Sequence, residues 1–130
     1  MDINTKTQIY AIIGDPVEHS KSPAMQNEFF CKTGINAVYL AFHVVKDNLQ
    51  DVIGGFKKLE ELRGFNVTVP HKVEIMKYID ELDPVAMKIG AVNTVVVKDG
   101  KWFGYNTDWY GVFKTLQKNN VPCNVKTLII

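Results

Sequence analysis

Cysteine is scarce in this chain: Cys31 and Cys123 are the only two in 130 residues, and they form no C-x-x-C pair. Neither they nor His19, His43 and His71 fall at zinc-ligand spacing, so a disulfide scaffold, a redox dithiol and a structural zinc site are excluded. Both thiols read as reduced core or surface residues, and the three histidines as structural. An excess of charge is also missing. Fifteen Lys and Arg stand against fourteen Asp and Glu, a net charge of +1, and no basic run exceeds two positions, which argues against nucleic acid and membrane surfaces as partners. No apolar run approaches the ~18 residues that a membrane helix requires, and the first residues lack the charged-then-apolar pattern of a signal peptide. A cytoplasmic location is therefore expected, which leaves the Asn66-Val67-Thr68 glycosylation triplet without chemical meaning. Internal repeats are absent. So are G-x-G-x-x-G and the P-loop, and nothing here cradles nucleotide phosphates in the usual way.

What remains is a chain of ordinary single-domain length, 46% hydrophobic and 22% charged, able to bury one core unaided. Apolar runs bounded by turns alternate with segments of helical period, which predicts an α/β fold: a mostly parallel sheet with helices on both faces, a three-layer sandwich. Strands are expected at 8–13, 36–45 and 64–69, the last halted by Pro70. Helices are expected at 23–33, with Ser22 as N-cap, Pro23 as first residue and Gly34 as stop, and from Asp47, with Gln50 closing a capping box. Leu49, Val52, Ile53, Phe56 and Leu59 form the buried stripe of that second helix, and Gly54 and Gly55, at about 1 kcal/mol each relative to Ala, predict fraying or a kink. A further helix is expected at 72–79, then a short helical turn from Pro84. Residues 91–98 and 101–105 flank Asp99-Gly100, a hairpin with a type I′ turn that puts one antiparallel strand in the sheet. A helix at 108–118 carries Trp109, Val112, Phe113 and Leu116 on one face, and residues 119–122 read as a breaker.

Four polar clusters fall at strand ends or helix starts, where parallel α/β sheets bind ligands, and should converge on one cleft. In 14–23, Ser20 and Ser22 precede a helix whose free N–H groups point the same way, an anion site in outline. In 64–72, Asn66, Thr68 and Lys72 bring an amide, a hydroxyl and an ammonium; a lysine in a first helical turn is mildly opposed by the helix dipole. Asn93 follows in 90–94, and Asp108 opens the last helix. Each has a bland reading alone: Ser22 as a cap, Lys72 as a solvated lysine, Asn93 as a structural amide, Asp108 as a capping carboxylate. Together, Lys72 and Asp108 form a candidate proton-transfer pair, Asp108 holding Lys72 charged and aligned while the helix field favours proton release.

At these clusters the sequence resembles the shikimate dehydrogenase family, in Gly14-Asp15-Pro16 through His19-Ser20-Lys21-Ser22-Pro23, in Asn66-Val67-Thr68-Val69-Pro70-His71-Lys72, in Gly90-Ala91-Val92-Asn93-Thr94 and in Asn106-Thr107-Asp108. The resemblance implies an NADP-dependent oxidoreductase that interconverts shikimate and 3-dehydroshikimate in aromatic amino-acid biosynthesis. It implies that Ser20 and Ser22 bind the substrate carboxylate, that Thr68, Asn93 and Asp108 contact ring substituents, that Asn66 lines the floor, and that Lys72 transfers the proton beside Asp108. On this reading residues 1–120 are the substrate-binding domain, and 121–130 a linker and the first strand of a dinucleotide-binding domain that the chain lacks. The fragment is then expected to be inactive alone, with strand 125–130 free to pair a homodimer. A quinate-using oxidoreductase and a non-catalytic carboxylate-binding module are the alternatives. Met25-Gln26-Asn27 departs from the family, which usually has a histidine before the asparagine.

Overall fold

The computed structural model describes residues 2–121. Cys123, the expected strand 125–130 and the homodimer contact drawn from it lie outside the described residues. The strands are β1 (Gln8–Gly14), β2 (Ala37–His43), β3 (Leu62–Val67), β4 (Glu81–Leu82), β5 (Thr94–Lys98) and β6 (Lys101–Tyr105), in one six-stranded sheet of order β2-β1-β3-β5-β6-β4. β1 runs parallel to β2 and β3, β6 runs parallel to β4, and β5 is antiparallel to both its neighbours. The expected α/β architecture with a single antiparallel strand is therefore what forms. The hairpin turn is type I′, with positive φ at Asp99 (51°) and Gly100 (74°), as its residues require.

A sheet buried on both faces needs apolar side chains on both, and β1 supplies them by alternation. Ala11 and Ile13 enter the larger core, which gathers Val67 and Phe65 of β3, Leu49, Ile53 and Phe56 of α2 (Leu49–Phe56), and Ala86 of α3 (Pro84–Ile89). Ile12, with Tyr10 beside it, faces the other way, against Phe30 of α1 (Ser22–Thr33) and Tyr39 of β2. Phe65 stands edge-on to Phe56 and Trp102 at 5.5 and 5.0 Å between centroids. Such pairs contribute about 0.5–1.5 kcal/mol each beyond the area they bury. α3 starts cleanly because the Asp83 carboxylate accepts from the Val85 and Ala86 amides at 2.9 and 3.3 Å. No helix among the described residues is long and apolar enough to cross a membrane.

Five local expectations fail, each for a physical reason. Ser22 does not cap α1: Lys21 is the cap, without a side-chain bond, because the Ser20 hydroxyl takes the Ser22 amide at 3.3 Å and the helix begins one residue early. The Asp47–Gln50 capping box does not form, since a 3₁₀ turn over Lys46–Asn48 precedes α2 and Asn48 makes no side-chain cap. α2 passes through both glycines and ends at Phe56, so Leu59 lies beyond it and is exposed. The helix expected at 72–79 is a 3₁₀ turn over Glu74–Tyr78, and Lys72 sits in the irregular turn before it. β5 starts at Thr94, which leaves Asn93 just ahead of the strand. α4 (Asp108–Lys118) has the expected bounds, but Trp109, Val112 and Phe113 on its apolar face are exposed.

Candidate active site

The C-terminal ends of β1 and β3 are held together by the chain that leaves them. The Thr68 amide donates to Ile13 O at 3.0 Å, the Asp15 amide to Val69 O at 2.9 Å, and the Val44 amide to Gly14 O at 3.0 Å. His71, fully buried, fastens the same loop to the end of β2 with 2.6 Å between Nε2 and Val44 O. A carbonyl can only accept, so Nε2 carries the proton and the ring is structural, as expected of the histidines.

On this platform Lys72, Asn93 and Asp108 meet. The Lys72 ammonium donates to Asp108 Oδ2 at 2.7 Å, and Asn93 Nδ2 donates to Asp108 Oδ1 at 2.8 Å. Both side chains of the ion pair keep contact with solvent, 31% exposed for Lys72 and 55% for Asp108. Partial burial pushes the Asp108 pKa up, but hydrogen bonds from Lys72 and Asn93 and the charge of Lys72 outweigh it, and the carboxyl is held below its ordinary value. Asp108 is thus ionised at neutral pH. It is also no cap: Thr107 occupies the cap position, and the carboxylate turns toward Lys72 and Asn93. The expected helix field on Lys72 loses its basis, because the residue precedes a single 3₁₀ turn. Among the described residues, Asp108 is what aligns the Lys72 ammonium.

Asn93 is held on every side. Its second amide proton goes to Thr107 Oγ1 at 3.0 Å, and its Oδ1 accepts from the Thr107 amide at 3.0 Å and the Thr94 hydroxyl at 2.9 Å. Asn66 is equally committed, donating to Asn93 O at 3.2 Å and Thr94 Oγ1 at 3.1 Å, and accepting from the Tyr39 hydroxyl at 2.6 Å. Burial raises the Tyr39 pKa to about 12, the Ser22 hydroxyl pulling slightly the other way, so the phenol is a fixed donor. Tyr39 joins the two sides of the site, with Asn66 on one and Ser22 on the other. Its own main chain is clamped by Asn27 of α1, which donates to Tyr39 O at 2.9 Å and accepts from its amide at 2.8 Å.

Ser20 and Ser22 lie at the start of α1, a twelve-residue helix, as an anion site requires. Thr68 follows β3, and its hydroxyl has no partner among the described residues and is not buried. The sequence reading missed Tyr39, Thr94, Thr107 and Asn27. Tyr39 sits inside an apolar strand run, where neither motif nor period marks it; Asn27 falls at a position the family resemblance touches, but its role as a main-chain clamp has no local signal inside a helix, and Thr94 and Thr107 adjoin named residues. Lys72 and Asp108 line an open cavity of about 550 Å³ together with Ile89, Val112 and Phe113; Ser20, Ser22, Asn66, Thr68 and Asn93 are not among its walls, so the four clusters do not share this cavity.

The fold and site together define a class: an α/β domain in which a helix start carrying Ser20 and Ser22 is linked through Tyr39 and Asn66 to a fixed lysine–aspartate pair. Residues 12–95 match the family described as the shikimate dehydrogenase substrate binding domain. The chain belongs to that family. It is 51% identical over 128 residues to the shikimate dehydrogenase (NADP(+)) of Methanocaldococcus jannaschii, covering 98% of this chain and 45% of that protein. The shikimate dehydrogenase structure from Aquifex aeolicus superposes with a TM-score of 0.85 at 49% identity, covering 90% of this chain and 44% of that one. The shikimate 5-dehydrogenase of Listeria monocytogenes, solved with shikimate and NAD, gives 0.86 at 43% identity, covering 94% and 42%. The chain thus spans about half the length of the relatives it matches.

Proposed function

We propose that this chain binds shikimate and 3-dehydroshikimate as the substrate-holding half of an NADP-dependent, cytoplasmic dehydrogenase, and that Lys72 moves the proton on the oxygen that alternates between hydroxyl and ketone. The observation that carries this reading is the 2.7 Å contact between Lys72 Nζ and Asp108 Oδ2. A carboxylate-binding module would need only the serines and the helix start. A lysine aligned by a carboxylate that stays ionised, both open to solvent, adds a group able to donate and retake a proton. Ser20 and Ser22 receive the substrate carboxylate, while Thr68, Asn93 and Asp108 meet ring hydroxyls and Asn66 braces the floor. Because both Asn93 amide protons already have protein partners, Asn93 reaches a ligand by sharing its bond to Asp108 or Thr107. The described residues do not fit the dinucleotide. The loop that opens α1 reads Ser20-Lys21-Ser22-Pro23, without the glycines that let a backbone approach a pyrophosphate. This chain's share is therefore binding, orientation and the proton.

Titration of the chain with shikimate, followed by amide chemical shifts in NMR, tests the reading. Charge-assisted hydrogen bonds contribute about 1.5–3 kcal/mol each, and association costs about 4 kcal/mol or more. A dissociation constant on the order of millimolar is expected, about 4 kcal/mol of net binding. Shifts should gather at Ser20, Ser22, Thr68, Lys72 and Asp108. Their absence at high millimolar shikimate would sink the proposal.

A further inference from the structure

We propose that Gly14 is a positioning residue of the substrate site, acting through Thr68: the side chain it lacks leaves the space in which the Thr68 methyl lies, and this turns the Thr68 hydroxyl toward the open side. The inference rests on reading Thr68 as a substrate contact. A Cβ built on Gly14 would stand 2.3 Å from Thr68 Cγ2 and 3.2 Å from Val69 O. Carbon atoms in contact sit about 3.5–4.0 Å apart, so no side chain at position 14 is compatible with this placement of Thr68. Backbone conformation is not the reason for glycine here, because the positive-φ glycines among the described residues are Gly34, Gly90 and Gly100.

Nor can the two segments move apart cheaply. The Thr68 amide is bonded to Ile13 O at 3.0 Å and the Asp15 amide to Val69 O at 2.9 Å, one on each side of the contact. A methyl at position 14 would therefore be relieved by rotating Thr68 about χ1. Methyl and hydroxyl share the Thr68 Cβ, so rotation that frees the methyl carries the hydroxyl with it. Asn66 and Asn93 have their amide protons committed within the protein, whereas the Thr68 hydroxyl is open. Its direction is thus a direct determinant of what the site offers a ligand.

The test uses the chain labelled at threonine methyls, with Gly14→Ala, Thr68→Ser and the double variant. In the unsubstituted protein the Thr68 methyl should show one χ1 rotamer and an NOE to the Gly14 α-protons. Gly14→Ala should change that rotamer and weaken shikimate binding about tenfold, the value of one hydrogen bond. Thr68→Ser keeps the hydroxyl and removes the methyl that Gly14 accommodates, and its own affinity is the reference against which the double variant is read. The double variant should recover affinity to within about threefold. An unchanged rotamer in Gly14→Ala, or a double variant no better than Gly14→Ala, overturns the proposal. Should Gly14→Ala fail to fold, a folded double variant with recovered affinity supports it and an unfolded one overturns it. If the unsubstituted chain shows no shikimate shifts, the substrate reading falls, while the rotamer comparison still decides the role of Gly14.

Discussion

Two halves of the site are built on opposite terms. On one side Lys72, Asp108, Asn93, Thr94 and Asn66 bind one another, and each amide proton has a protein partner. On the other, the hydroxyl of Thr68 has no partner among the described residues, and Ser20 Oγ accepts a single amide. The first half is preorganised, so the ion pair is formed and the Asp108 carboxyl is held ionised before any ligand arrives, which preorganised electrostatics reward. The second half leaves groups uncommitted, as recognition requires. Tyr39 stands at the seam, donating to Asn66 and near Ser22.

The largest expected effect is on the preorganised half. In a chimera that joins this chain to the remaining length of the Methanocaldococcus jannaschii relative, Lys72→Ala should lower kcat by about 10²- to 10⁴-fold with a small change in KM. A raised KM at unchanged kcat would reduce Lys72 to a binding residue and erase the contrast. In the same chimera, replacing Ser20 and Ser22 together by alanine should weaken shikimate affinity by about 10²-fold, from two charge-assisted bonds of about 1.5–3 kcal/mol less their discount for solvent, and leave kcat nearly intact. Normal affinity in that double variant would remove the carboxylate from the helix start.

A smaller effect is expected at the seam. Folding raises the Tyr39 pKa from 10.0 to about 12, so the folded state holds the proton more tightly than the unfolded chain. The stability this represents is fully present below pH ~10 and is lost as pH rises toward ~12, on the order of 2–3 kcal/mol for a shift of about two pKa units in a buried group. Tyr39→Phe should be less stable at neutral pH, because Asn66 Oδ1 loses its donor, yet show a flatter alkaline limb between pH 10 and 12 in denaturant melts. An equally steep limb in Tyr39→Phe would place the alkaline sensitivity elsewhere.

Much of this was legible in the chain itself. The alternation in β1, the Asp99-Gly100 turn and the bounds of α4 follow from local side-chain chemistry, and residues 20–22, 66–72, 93 and 108 stood out as polar groups at strand ends. Local rules misplaced the caps of α1 and α2 and turned a 3₁₀ turn into a helix, because at helix ends one competing hydroxyl or one irregular turn decides the outcome. The sequence by itself determined which polar residues gather at strand ends and the parallel sheet that brings those ends together. Only the tertiary structure decided how they are used: that Asp108 faces Lys72 and does not cap its helix, that Asn66 and Asn93 are saturated by Tyr39, Thr94 and Thr107, and that Thr68 depends on the bare backbone of Gly14. Apart from the adjacent Asn93 and Thr94, those contacts join residues from 14 to 54 positions apart, and neither propensity nor periodicity reads across such separations; packing of β1, β3 and β5 edge to edge brings them within hydrogen-bond reach.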